Sequence, residues 1–259
     1  MKIFLNILLG VLLPFFSCSQ VVDQVMGLSA TYIGVVSGVA PCPNVDYVLT
    51  ASFICTTDPC AGVTVVTYGG EDYNTIGVGT QCWLQRNLNI GTKINHTIAQ
   101  TNNSILEKYC YNNIVDSCSV YGGLYQWNEA MQYSVVPGAQ GICPSGWHIP
   151  TISEWVILRD YLGGPTVAGG SMKEIGYRHW ISPNVGATNS SGFTLLGAGL
   201  YFSVEAGYSW VRSSTELWSS TKISFNVSNT QFNWGDASFY YGTVDGEVSN
   251  AVSVRCIKD

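Results

Sequence analysis

Hydrophobic and polar residues are laid out in three ways along this chain: one near-continuous apolar stretch, many short β-type runs, and two places with helical spacing. The stretch comes first. Lys2 supplies a positive start, Ile3 to Phe16 is apolar except for Asn6, Gly10 and Pro14, and the small residues Ser17, Cys18 and Ser19 follow. That order is the one a secretory signal peptide has. The stretch is shorter than the roughly 20 apolar residues a membrane-spanning helix needs, and no later segment approaches that length. The mature protein is therefore expected to be exported and water-soluble.

Two ways of ending the signal fit these residues. Ser17 and Ser19 satisfy the small-x-small rule, which makes residues 1–19 the signal, with cleavage before Gln20. Alternatively, Phe15-Phe16-Ser17-Cys18 resembles a bacterial lipoprotein box. The signal would then end at 17 and Cys18 would be lipidated, the one route by which this chain would associate with a membrane.

Residues 20–62 hold short apolar runs such as Ile33-Gly34-Val35-Val36 and Tyr47-Val48-Leu49, separated by Gly, Pro and Asn. That suggests strands and turns, but the segment is far below the roughly 100 residues of an immunoglobulin-type sandwich. It reads as a cysteine-containing N-terminal extension. A domain is expected over 63–259. Val63 to Tyr68 and Tyr73 to Val78 are β-rich runs around Gly69-Gly70-Glu71-Asp72, which predicts a hairpin. Gly123 to Met131 sets Leu124, Trp127 and Met131 at helical spacing. A second helix is marked by the capping box of Thr151 and Glu154, with Trp155, Leu158 and Leu162 on one face, and Gly163-Gly164-Pro165 stops it. Short strands then run to the end, where Val252, Val254 and Cys256 alternate as one face of a final strand. The class is α+β with β dominating.

Composition narrows the function. Only 11% of residues are charged and the formal net charge is −6, yet 46% are hydrophobic, which rules out a disordered chain. Eleven basic residues without a cluster make a poor nucleic-acid binder. Apart from Cys18 there are eight cysteines: Cys42, Cys55, Cys60, Cys82, Cys110, Cys118, Cys143 and Cys256. An even set in an exported chain points to disulfides, and no pair has the C-x-x-C spacing of structural zinc sites. Cys110 with Cys118 suits a local turn. Cys143 with Cys256 would tie the entrance of the second helix to the last strand. Cys42, Cys55, Cys60 and Cys82 are left to pair among themselves in an open order.

An ordered series of segments resembles one family, the Fibrobacter succinogenes major paralogous domain. It runs through Gln81-Cys82-Trp83-Leu84, Tyr109-Cys110-Tyr111-Asn112-Asn113, Leu124-Tyr125-Gln126-Trp127 and Cys143-Pro144-Ser145-Gly146-Trp147-His148-Ile149-Pro150. Leu217-Trp218-Ser219-Ser220-Thr221 and Ser253-Val254-Arg255-Cys256-Ile257 complete it. That family is similar in turn to the C-type-lectin-like and formylglycine-generating-enzyme group of folds. The resemblance implies a C-type-lectin-like fold: two helices flanking twisted antiparallel strands, with the first and last strands adjacent. It implies no activity.

Catalytic constellations are thin. His96, His148 and His179 are isolated, there is no G-x-S-x-G, and Gly69-Gly70 lacks the Lys and Ser/Thr of a phosphate loop. The cysteine pair of formylglycine-generating enzymes has no counterpart, so no catalytic residue and no cofactor is expected. Calcium-dependent lectins carry Glu-Pro-Asn or Gln-Pro-Asp and a later Trp-Asn-Asp. Here Ser182-Pro183-Asn184 and Trp234-Gly235-Asp236 lack the first carboxylate a hard cation needs, and no metal site is expected. What stands out is the stretch from Ile223 to Asn250. Phe225, Phe232, Trp234, Phe239, Tyr240 and Tyr241 fall there among Ser, Asn, Gly and Asp, with no basic residue between Lys222 and Arg255. Aromatics with small polar neighbours suit adaptable recognition surfaces. Trp234, Tyr240 and Tyr241 are the candidate ligand surface of an extracellular or cell-surface recognition or adhesion domain that binds a glycan or a protein. The competing readings are a structural surface-assembly component and, further off, an extracellular enzyme of the formylglycine-generating group.

Overall fold

Two glycines in left-handed backbone, Gly69 at φ +62° and Gly70 at φ +81°, turn the first hairpin of the computed structural model. They join β1 (Val65–Tyr68) to β2 (Glu71–Val78), with Tyr68 opposite Glu71. A two-residue turn with positive φ at both positions matches the twist of the flanking strands. A Cβ on Gly69 would stand 2.3 Å from the Ile90 side chain, so glycine is required there twice over. The structure describes residues 58–203, 207–223, 226–244 and 249–259. The signal, Cys18, most of the extension, Cys42, Cys55 and Phe225 lie outside them.

Residues 58–259 pack as one unit. After the hairpin come β3 (Gln81–Leu84), β4 (Thr92–Lys93), β5 (Glu107–Lys108), α1 (Val115–Tyr121), β6 (Tyr125–Gln126), α2 (Trp127–Ala130) and β7 (Trp147–His148). Then follow α3 (Ile152–Tyr161), α4 (Ala168–Met172), β8 (Ala198–Phe202), β9 (Gly207–Val211) and β10 (Ser214–Ile223). The series closes with β11 (Asn226–Asn233), β12 (Tyr240–Val244), β13 (Ala251–Val252) and β14 (Ile257–Lys258). One sheet has the order β1-β2-β3-β14-β7. A second runs β12-β11-β10-β8-β13-β6, with β9 beside β8, and β4 with β5 forms a small sheet of its own. Pairing is antiparallel apart from β8 with β10 and β4 with β5. The domain is β-dominated with few helices.

Three elements differ from the sequence reading. The helix expected over 123–131 is a strand followed by a single helical turn. Tyr125 and Gln126 are drawn out to pair with Val252 and Ala251, and the Tyr125 hydroxyl is locked to the Ile90 backbone at 2.8–2.9 Å. The final strand is split. Val252 pairs in one sheet and Ile257 in the other, and every residue from Ala251 to Ile257 is buried, so the alternation carries no exposed face. It is β3, not the first strand, that lies beside the last one. By contrast, α3 starts where its capping box predicts: the Thr151 hydroxyl accepts from the Glu154 backbone, while Glu154 accepts from the Thr151 backbone at 2.7 Å. Trp155 and Leu158 are buried beneath it.

Three disulfides fasten the unit: Cys60–Cys82, Cys110–Cys118 and Cys143–Cys256. The second and third are the two pairs the sequence favoured, one for its short spacing and the other for joining the entrance of the second helix to the end of the chain's last strand. The first settles one pair among the four cysteines left open and joins residue 60, assigned to the extension, to β3. Five tryptophans are fully buried, Trp127 and Trp218 in one core cluster and Trp83, Trp155 and Trp180 in another. Aromatic rings of that size bury 150–250 Å² each and dominate a core's energetics.

Candidate functional site

The three aromatics singled out in the sequence are divided by the pleat of the sheet. Tyr240 faces Gln231 across the β11–β12 pair, and Gln231 in turn faces Glu216 on β10. Directly opposed residues share a face, so these three line one side of the sheet. Tyr241, opposite Thr230, points to the other side, where its ring lies 5.3 Å from the Arg159 guanidinium of α3. Both tyrosines are about half exposed, at 46% and 49%. Phe232 and Phe239 are core residues packed edge-to-face at 4.8 Å.

Trp234 sits where β11 leaves the sheet, and the backbone there is firmly held. Its N–H donates to the Ser213 carbonyl at 3.0 Å and its carbonyl accepts from Val185 at 2.8 Å. Below, α4 comes close because it is built on glycine. A Cβ on Gly169 would stand 2.1 Å from the Ser238 carbonyl, and one on Gly170 2.3 Å from that of Gly186. The fully buried Lys173 then pins the loop. Its ammonium donates to the carbonyls of Val185, Asn233 and Asp236 at 2.9, 2.9 and 2.6 Å, using all three of its hydrogens. Burial pushes its pKa down to about 8, with the Asp236 charge pulling the other way. The Asp236 carboxylate is spent inside the loop, accepting from the Ser238 N–H and the Tyr240 hydroxyl.

Beside Trp234 a groove of about 190 Å³ opens, lined by Trp210, Ser213, Ser214, Gln231, Asn233 and Trp234. Trp210 is a residue the sequence reading passed over, because that reading confined the ligand surface to Ile223–Asn250. Gly207-Tyr208-Ser209-Trp210 has the same aromatic and small-polar texture and was the available signal. Trp210 is 49% exposed and held at φ +65°. A bulky side chain in left-handed backbone costs on the order of 1–3 kcal/mol and persists only where the surroundings impose it. Here the turn imposes it: the Trp210 carbonyl accepts from both the N–H and the hydroxyl of Ser213.

Glu216, on the same face but outside the groove lining, accepts from the Asn229 amide at 2.6 Å. Burial raises its pKa to about 7, against the lowering effect of that bond. A carboxyl whose folded pKa exceeds its unfolded one takes up its proton earlier in the folded state. Its contribution is complete below about pH 4.5 and is lost as pH rises through 7. Over that window it amounts to at most roughly 3 kcal/mol. Glu216→Gln keeps an acceptor for Asn229 and should stabilise the protein by about 2 kcal/mol at pH 8 while changing little near pH 4.5. Melting temperatures across pH 4.5–8 check this; equal effects at both ends would show that Glu216 does not titrate in that window.

The histidines have structural partners. His148 bridges Glu154 and Asp259 at 2.9 and 2.7 Å. Burial pushes the imidazole down, but the two carboxylates outweigh it and hold its pKa above the usual value. His179 bonds to Glu174 and His96 to Asn113. Among the described residues no group of three His, Cys, Asp or Glu side chains is arranged to hold a metal.

The model of one protein family, described as the Fibrobacter succinogenes major domain, matches residues 76–258, most of the chain. The chain belongs to this family. Comparison with curated proteins and with solved structures finds no match. Within the Fibrobacter succinogenes major domain, the segments that carried the resemblance turn out to be the internal frame. In Trp218-Ser219-Ser220-Thr221 the backbone carbonyls of Trp218 and Ser219 accept from Trp155 and Trp127. The Ser220 and Thr221 hydroxyls accept from Gly138 and Ile152. Arg255 is buried without a carboxylate, giving its hydrogens to Asn87 and to the carbonyls of Leu84 and Phe193. Burial lowers its pKa to about 9, and Arg86 adds to the effect. The groove residues lie outside these segments.

Proposed function

We infer that this domain is a non-catalytic recognition or adhesion module that works outside the cytoplasm, at the cell surface or free, and takes a glycan or protein ligand on the β10–β12 face. In this reading its architecture is C-type-lectin-like, with twisted antiparallel strands flanked by helices, and the ligand sits where that architecture leaves aromatic rings uncovered. The three disulfides fit an oxidising environment. The observation that carries the reading is that half-exposed Tyr240 stands beside Gln231 on one sheet face, next to a groove where Trp210 and Trp234 meet the amides of Gln231 and Asn233, while the family's own segments are spent in the core. Aromatic anchors amid small polar groups give contact area at low entropic cost.

The mature domain should bind partners in a glycan array or in a pull-down from cell-surface extracts. Tyr240→Ala should weaken that binding about thirtyfold, the effect of losing an anchor worth about 2 kcal/mol. Its stability should stay within about 0.5 kcal/mol, because the ring is exposed. A domain that binds nothing in either format, or binds with undiminished affinity after Tyr240→Ala and Trp234→Ala, would overturn the assignment to this face.

A further inference from the structure

We propose that the groove between Trp210 and Trp234 is a metal-independent binding site for one ring of an uncharged sugar, such as a terminal unit or one residue of a neutral polysaccharide. This rests on the recognition reading above and gives it a site and a ligand class. The size comes first. At about 190 Å³ the groove is smaller than the roughly 300–1,000 Å³ of sites that enclose a drug-sized molecule. It seats a single ring and leaves the rest of the ligand in solvent.

The lining sets the chemistry. No charged side chain is among the six residues. Arg212, next to the groove in sequence, is turned away and donates to the Tyr177 carbonyl. The Ser213 and Ser214 hydroxyls give their hydrogens to the Trp210 and Phe232 carbonyls, which leaves oxygen lone pairs free to accept. Gln231 and Asn233 have no side-chain hydrogen bond to another described residue. Each amide offers a donor and an acceptor side by side, the pair that neighbouring hydroxyl groups satisfy. The two indoles add apolar faces, and each ends in an N–H that can donate.

An uncharged, hydroxyl-rich ring with one apolar C–H face meets all of these demands together. A carboxylate or sulfate would lose its hydration without a cation to replace it. A purely apolar side chain would bury the two amides unpaired. Calcium is not required, since the loop carbonyls that could contribute to a cation site are taken by the Lys173 ammonium. Trp210 is half exposed and already lines the groove before any ligand arrives.

The test uses the mature domain on an array of neutral oligosaccharides beside sialylated, sulfated and uronic-acid-containing ones, with and without EDTA. Hits are expected among the neutral sugars and unchanged by EDTA. Binding should shift tryptophan fluorescence. Trp210→Ala and, independently, Gln231→Ala should each weaken it at least tenfold, with melting temperatures close to wild type. Two variants are needed because the Trp210 ring also packs against Phe202, so its truncation touches more than the groove. Neutral-sugar binding that survives both substitutions, hits confined to charged glycans, or loss of binding in EDTA would overturn the proposal. If no glycan binds but a surface protein does so through Tyr240, the sugar assignment fails and the recognition reading stands. If nothing binds, both fail.

Discussion

Replacing both Cys143 and Cys256 with alanine should lower stability by about 5 kcal/mol, the largest effect expected of any disulfide in this domain. The bridge spans 113 residues, from the entrance of α3 to the segment that joins the two sheets. In the chain-entropy description, the longer the closed loop, the more conformations the bond removes from the unfolded chain. The Cys110–Cys118 bridge closes only 8 residues of separation and should contribute roughly 2.5 kcal/mol by the same relation. For a domain of this size the double variant's melting temperature should fall by on the order of 10 °C. Thermal unfolding of the two double variants side by side checks both values. A Cys143/Cys256 variant no less stable than the Cys110/Cys118 one would mean that strain or residual structure, not loop length, governs these bonds.

Trp218→Ala should cost about 3–5 kcal/mol. The side chain is fully buried in the main core cluster, and its indole N–H donates to the Tyr125 carbonyl at 2.7 Å. Truncation leaves both a cavity and an orphaned acceptor on β6. Trp218→Phe fills most of the volume but still loses the bond, and should cost roughly 1–2 kcal/mol. Urea unfolding separates the two; equal losses would assign the whole effect to the hydrogen bond and none to packing.

The parts of this fold that were legible in the sequence are those decided locally. Gly69-Gly70 must turn, because both residues need positive φ. Thr151 and Glu154 must start a helix, because each satisfies the other's backbone. What the sequence hid is decided by distant partners. Leu124, Trp127 and Met131 have helical spacing, yet Tyr125 gains more from Ile90 and Val252 than from another helical turn. Ala168-Gly169-Gly170-Ser171-Met172 has a poor composition for a helix, and forms one only because two missing Cβ atoms admit the backbone of 186 and 237–238. The candidate site divides in the same way. Trp234 and Tyr240 were visible as aromatics in a polar stretch. Trp210 stands in a stretch of the same texture, but its place beside Trp234 was hidden, since it depends on a turn that brings β9's end to β11's end. Tyr241 was grouped with Tyr240 by adjacency, and the pleat sets them on opposite faces.

The burial of Ala251 to Ile257 has a consequence for the order in which this protein acquires its shape. These seven residues form the seam between the two sheets: Val252 pairs on one side, Ile257 on the other, and Arg255 plugs the space between them. A chain emerging from the ribosome carries the hairpin, the tryptophans and the helices long before it carries the seam. Until residues 251 and 252 are available β6 has no partner in β13, and until 257 and 258 are available β3 and β7 have no strand between them. The strand segment that both sheets share is thus added only after the walls it joins, and a chain cut short of it keeps the packing between the two sheets but lacks the backbone that is hydrogen-bonded to both.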